Sequence, residues 1–126
     1  MQRIKDNLYE VTYQIYFNTP VEMQNELIKR GITSHNTTDY DGLHFHISDG
    51  TEANIHIIWV NSKLSKAKQL STLLHELTHA LITVWEVHGL NMVKDQEAYA
   101  YYFTYIFNQI KLGGLNGKSS ISKSFL

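Results

Sequence analysis

The residues best suited to chemistry in this chain lie in one pentapeptide, residues 75–79, which reads His-Glu-Leu-Thr-His. On a helix, side chains four positions apart lie on the same face, one turn from each other. His75 and His79 can therefore present two imidazole nitrogens to one Zn²⁺, and Glu76 stands beside the first of them, where its carboxylate can accept a proton from water. Two nitrogen ligands and a base make up most of a hydrolytic zinc site.

A long helix is predicted to hold this motif. No Gly or Pro occurs between Ser65 and His88, and Gly89 is placed to end the helix. Because the pentapeptide lies mid-helix and borders an apolar stripe, we expect its side chains to be fixed against a core. The stripe repeats at spacings of three and four and consists of Leu70, Leu73, Leu74, Leu77, Ala80, Leu81 and Val84.

Strands are predicted upstream of the motif helix. Residues 53–60 are apolar and β-branched, residues 43–48 alternate between apolar and polar, and Asp49-Gly50 between them is typical of a hairpin turn. An earlier alternating run, Leu8 to Phe17, predicts another strand. The sequence therefore predicts that a small sheet backs the motif helix.

A second helix follows the motif helix and offers a third metal ligand. Asp95 is the predicted N-cap, and residues 96–111 contain no Gly or Pro. Glu97 lies in the first turn, 18 positions after His79. Asp95 lies near the same helix start, so the residues alone leave the choice between the two carboxylates open. Tyr101, one turn after Glu97, is the candidate hydrogen-bond donor to a developing oxyanion.

These elements predict an α+β fold of order β-α-β-β-α-α, in which a small sheet packs on the helix that carries the motif and a second long helix follows. The first helix of this order is predicted from Pro20 to Arg30, before Gly31. A chain of 126 residues accommodates one domain, which we assign to residues 1–112. Residues 113–126 are rich in Gly, Ser and Lys and are predicted to form a flexible tail.

The order of a strand, an H-E-x-x-H helix and a Glu on the next helix resembles the gluzincin branch of the zincin metallopeptidases, over about residues 43–111. The resemblance implies a minimal gluzincin-type zincin domain with Zn²⁺ as its cofactor. It implies His75, His79 and Glu97 as the metal ligands and Glu76 as the general base. The implied activity is hydrolysis of peptide bonds in a peptide or protein substrate.

Two other functions compete with peptide hydrolysis. One is a binding or regulatory protein that keeps a zincin fold without turnover, and the other is a zinc hydrolase acting on a non-peptide amide, since the zinc chemistry does not specify the acyl donor. Three further histidines, His44, His46 and His56, fall on the predicted hairpin and are expected to be half-exposed sheet residues. The register of the hairpin, which the sequence does not determine, decides whether His46 or His56 faces the cleft.

Composition narrows the classes of partner. A net charge of −1 gives no broad electrostatic attraction to nucleic acid or to an acidic membrane. The absence of cysteine excludes disulfides, thiolate zinc ligands and thiol catalysis. Without an apolar signal core or a run long enough to span a membrane, a cytoplasmic location is expected.

Overall fold

The computed structural model describes residues 1–33, 37, 39–48 and 54–114. Within these ranges it is an α+β fold with a small mixed sheet of four strands and with three helices. The elements are β1 (Gln2–Asp6), β2 (Val11–Tyr16), α1 (Val21–Lys29), β3 (Gly42–Ile47), β4 (Ile55–Val60), α2 (Lys66–Val87) and α3 (Gln96–Gln109). A single 3-10 turn, Leu112–Gly114, follows α3.

The observed order, β-β-α-β-β-α-α, corrects the predicted order, which lacks β1. The strand predicted from Leu8 begins only at Val11, because the preceding residues form the turn between β1 and β2. The carboxylate of Asp6 stabilises this turn by accepting hydrogen bonds from the backbone amides of Leu8 and Tyr9, at 3.0 and 3.1 Å. Glu10 completes the turn with a left-handed φ of 53°.

The sheet has the strand order β1-β2-β4-β3. β1 pairs with β2 and β3 pairs with β4 in antiparallel fashion, whereas the central pair, β2 and β4, is parallel. The predicted hairpin pairing of β3 with β4 is confirmed, and its register sets His46 opposite His56. The predicted turn at Asp49-Gly50 lies outside the described residues.

The sheet separates two hydrophobic cores. The smaller core lies between the sheet and α1, where Met23 and Leu27 pack on Ile55, Ile57 and Trp59. The larger core lies on the opposite face, beneath α2 and α3, and receives the alternate strand residues Tyr13, Ile15, Ile58 and Val60. Because strand side chains alternate between the two faces, the residues of β3 and β4 divide in the same way.

The prediction of the motif helix is confirmed. α2 begins after Ser65, whose hydroxyl accepts a hydrogen bond from the backbone amide of Lys68 at 3.3 Å. It ends before His88 and Gly89, where the glycine takes a φ of 68° that side chains with a Cβ rarely adopt. Leucines of the predicted stripe, including Leu73, Leu77 and Leu81, are fully buried.

A buried polar network fixes α3 to the first two strands. The hydroxyl of Tyr102 donates to Oδ2 of Asp6 at 2.6 Å and lies 2.9 Å from the hydroxyl of Tyr13. Burial raises the pKa of Tyr102, so the phenol keeps the proton that it donates. The middle of α3 is therefore held at the β1–β2 side of the sheet.

The two ends of α3 follow the prediction closely, since the helix starts after Asp95 and stops at Gln109, two residues before the predicted end. Of the predicted flexible tail, residues 115–126 lie outside the described residues. None of the described helices combines the length and the apolar character that a membrane span needs.

Candidate functional site

The two histidines of the pentapeptide converge on one point. Their Nε2 atoms lie 3.2 Å apart, and the rings of His75 and His79 meet edge to face at 81°. Two nitrogen ligands of one tetrahedral zinc ion, each bonded at about 2.0–2.1 Å, are separated by roughly 3.3–3.4 Å. The observed separation therefore fits two neighbouring ligands of one ion. Both side chains are exposed, so a metal ion can reach them from solvent.

Glu76 differs from the two histidines because it is buried, with 9% of its surface exposed. Burial raises the pKa of the Glu76 carboxyl, and the neighbouring His75 and His79 partly offset this by lowering it. A partly desolvated carboxyl beside two imidazoles is suited to accept and return a proton.

The described residues contain no group of three or more His, Cys, Asp or Glu side chains close enough to hold a metal ion. Glu97 lies in the first turn of α3 with an exposed side chain. The ring of Tyr99, two residues later, packs on Trp85 with a centroid distance of 5.5 Å. Trp85 stands six residues after His79, which is about 9 Å further along the helix axis. The structure thus does not bring Glu97 to the histidine pair.

Asp95, the other candidate ligand, is engaged in the connection between α2 and α3. Its Oδ2 accepts a hydrogen bond from the backbone amide of Asn91 at 2.8 Å. Burial raises the pKa of Tyr9, and the charges of Asp6 and Asp95 raise it further. These contacts favour Glu97 over Asp95 as the candidate third ligand.

Two grooves meet at Glu76, one on each side of the first residue of β3. The larger, about 530 Å³, is bounded by Tyr40, Leu43, His44, His79, Ile82 and Glu86. The smaller, about 380 Å³, is bounded by Asp41, Lys68, Ser71, Thr72 and His75. Gly42 and Glu76 line both grooves, so a cleft runs along the start of β3 with these two residues at its middle.

The strand and the helix approach each other very closely at Gly42. A Cβ atom added there would lie 2.6 Å from Cγ2 of Thr72, 2.8 Å from the carbonyl oxygen of Trp59 and 3.3 Å from Cγ of Glu76. The absence of a side chain at this position therefore allows β3 to pass over the motif helix at this distance.

Sequence reasoning missed His44, which lines the larger groove together with Glu76 and His79. Its Nε2 lies 2.8 Å from Nδ1 of His56, and the two rings stack with an interplanar angle of 6°. The expectation of half-exposed histidines holds for His44 and is wrong for His56, which is 1% exposed. The register of β3 is the signal that places His44, and it is visible only once the strands are paired.

The two hydrogen-bonded histidines are held neutral. Burial lowers the pKa of His56 to about 2, with further lowering by the neighbouring charges of His44 and His46. Burial likewise lowers the pKa of His44 to about 4, aided by His46 and His79. Both imidazoles are therefore uncharged at neutral pH.

Tyr101, the predicted oxyanion donor, lies elsewhere. Its side chain is 73% exposed. It lines a separate groove of about 440 Å³ beside the turn between β1 and β2, with Leu8, Tyr9, Ala98 and Tyr105. The structure does not bring Tyr101 to the cleft at Glu76.

Comparison with known protein families gives a match over more than half of the chain. The family model of peptidase family M78, described as the IrrE N-terminal-like domain, matches residues 29–101, which are 73 of the 126 residues. The matched span contains β3, β4, α2 and the first turn of α3, and hence both the pentapeptide and Glu97. No curated protein and no solved structure matches the chain significantly.

Gly42→Ala is expected to lower the free energy of unfolding by about 1–3 kcal/mol, because the added methyl group is forced against Thr72 and against backbone. Urea unfolding followed by circular dichroism measures the loss. Thr72→Ser removes the nearest clashing atom and should recover part of it. Gly113→Ala is the matched control, since nothing lies within 4 Å of its Cβ position. Equal stability of the Gly42 and Gly113 variants would contradict the close approach.

The free energy of unfolding is expected to fall as the pH drops below the ordinary histidine pKa of about 6.5. His56 has a folded pKa of about 2, so below pH 6.5 the unfolded chain binds a proton that the folded chain does not. Between pH 6.5 and 5 this costs about 2 kcal/mol. Urea unfolding in the presence of a chelator, in wild type and His56→Asn, measures the effect. The variant should show a shallower pH dependence, and identical slopes would exclude a buried neutral His56.

Proposed function

Because the chain belongs to peptidase family M78, a metallopeptidase-like family defined by the IrrE N-terminal-like domain, we propose that it is a zinc-dependent metallopeptidase of minimal gluzincin type. One observation carries the proposal. The Nε2 atoms of His75 and His79 converge at 3.2 Å beside the buried carboxyl of Glu76.

We propose His75 and His79 as two metal ligands and Glu97 as the third, although the described structure does not place Glu97 beside the histidine pair. The spacing of the two Nε2 atoms fits one zinc ion. Glu97 lies in the first turn of α3, inside the span that the family model matches. It is preferred to Asp95 because the Asp95 carboxylate accepts a hydrogen bond from the backbone amide of Asn91. Zn²⁺ bound here supplies Lewis acidity, which acidifies water and polarises the scissile carbonyl.

Glu76 acts as general base and then as general acid. The oxygen of a water molecule attacks the carbonyl carbon while Glu76 accepts a proton from that water. When the carbon–nitrogen bond breaks, Glu76 returns the proton to the leaving amine, so the carboxylate is regenerated. A group that both accepts and donates a proton works best with a pKa near the operating pH, and burial moves the pKa of Glu76 in that direction.

The substrate is proposed to be an extended peptide that lies along β3. This strand stands last in the sheet order, so within the described ranges its outer edge carries no further strand. An extended peptide can add to such an edge through main-chain hydrogen bonds. The two grooves on either side of Glu76 would then receive residues from both sides of the scissile bond.

The second candidate function is binding or regulation without turnover. It is favoured by one observation, the lack of a third metal ligand beside the histidine pair among the described residues. In that case the groove along β3 would hold a partner that is not cleaved. Metal content and hydrolysis distinguish the two functions.

Glu76→Gln is expected to keep bound zinc and to lower hydrolysis of fluorescent casein by at least about 10²-fold, because the amide cannot accept the proton. Zinc content is measured by mass spectrometry and hydrolysis by fluorescence release, with and without chelator. Glu86→Gln is the matched control, since Glu86 is exposed on the same helix and lines the same groove. Full activity of Glu76→Gln would remove its role as base, and a wild-type protein without zinc at neutral pH would overturn the proposal.

Glu97→Ala is expected to weaken zinc binding by at least about tenfold, since even residues that merely orient ligands contribute about 10–100-fold. Asp95→Ala should leave zinc affinity within about twofold and lower thermal stability, because it loses the hydrogen bond to Asn91. Competition with a fluorescent chelator measures both affinities. The reverse ranking would assign the ligand to Asp95, and unchanged affinity in both variants would favour a two-histidine site.

A further inference from the structure

The α2-facing side of β3 adds one more chemically active group to the cleft. Gly42 faces α2 at the motif, whereas Leu43, Phe45 and Ile47 pack towards the core beneath α1. Because strand side chains alternate, His44 shares the face of Gly42, two residues further along the strand. It is therefore presented to the groove next to Glu76.

His44 is oriented by one contact from inside the sheet. Its Nε2 lies 2.8 Å from Nδ1 of His56, which leaves Nδ1 as the ring nitrogen of His44 without a hydrogen-bond partner in the described part of the chain. When His56 donates its Nδ1 proton to Nε2 of His44, a neutral His44 carries its own proton on Nδ1. His44 then offers a donor to a molecule in the groove.

His56 is itself held on several sides, so it can act as a rigid support. It is 1% exposed, the planes of the His44 and His46 rings are nearly parallel to its own at centroid distances of 5.1 and 4.5 Å, and its ring also stacks on Tyr13 at 5.6 Å. A side chain packed in this way cannot turn without disturbing β2 and β3. The orientation of His44 is therefore set by the sheet and requires no bound ligand.

We propose that His44 is a catalytic residue of this site, whose Nδ1–H donates a hydrogen bond to the carbonyl oxygen of the scissile peptide bond as that oxygen gains negative charge, and that His56 is its positioning residue. The inference rests on the proposed hydrolytic function. It assigns the role of oxyanion donor to His44 on β3 and not to Tyr101, which lies in a different groove.

The kinetic test compares four variants of the zinc-loaded protein on fluorescent casein. His44→Ala should lower kcat by about 10²–10³-fold with KM within about twofold, because the donor acts on the transition state. His44→Asn should recover part of kcat, since its amide nitrogen can stand near the position of Nδ1. Tyr101→Phe should have no effect on kcat.

His46→Ala is the matched control. His46 lies on the same face of the same strand and stacks on His56, but its Nε2 contacts Asn54 at 3.1 Å, away from Glu76. Because His46 packs on His56, its loss should lower kcat less than His44→Ala does. His56→Asn should lower kcat less than His44→Ala does. Thermal melts and zinc content of every variant exclude unfolding and metal loss as the cause.

A binding measurement gives a readout that does not depend on turnover. Acetohydroxamate binds zinc and places a carbonyl oxygen beside it, so His44→Ala should weaken its affinity about tenfold, as measured by calorimetry, while His46→Ala should weaken it less. Equal affinity and equal kcat in the His44 and His46 variants would overturn the inference while leaving the proposed function intact. A wild-type protein that neither binds zinc nor hydrolyses casein would overturn both. A decrease in kcat for Tyr101→Phe but not for His44→Ala would return the role to Tyr101.

Discussion

The close approach of β3 to α2 at Gly42 is the constraint on which the candidate site depends. Glu76 is buried because the strand passes directly over it, and the space where a side chain at position 42 would stand is already filled by Thr72, by Glu76 and by the backbone of Trp59. Gly42 and Glu76 line the grooves on both sides of this contact. A bulkier residue would have to move the strand, and with it the wall of the cleft.

The same constraint determines which side chains of the sheet face the motif. With Gly42 against the helix, His44 follows on the same face, and pairing with β4 brings His56 behind it. A shift of one residue in the register of β3 would instead direct Leu43 and Phe45 towards α2. The neutral pair of His44 and His56 is costly to protonate, so the part of the sheet that supports the site is also the part that acid weakens.

The sequence predicts the elements that depend on local signals. The motif helix is recognisable from an uninterrupted apolar stripe and a terminal glycine, and both signals act within a few residues. β1 is missed because only Ile4 of its five residues is both apolar and buried, so the strand lacks the alternating apolar pattern by which β2 is recognised. His44 is missed for a related reason: its direction depends on a register that paired strands and their cores select together.

Glu97 marks the limit of what spacing along a chain can establish. The separation of 18 residues limits how far Glu97 can lie from His79, but it does not determine the course of the chain between them. In the structure that path is determined by aromatic packing of Tyr99 and Tyr102 on Trp85 and by the bond from Tyr102 to Asp6, contacts whose partners lie in α2 and β1. These contacts hold the middle of α3, whereas Glu97 lies before them, in an exposed first turn. The two histidines need no such tertiary support, because one helix turn brings them together. In a metal site of this kind, the two histidine ligands can therefore be predicted from the sequence, whereas the position of the third ligand depends on how the second helix packs.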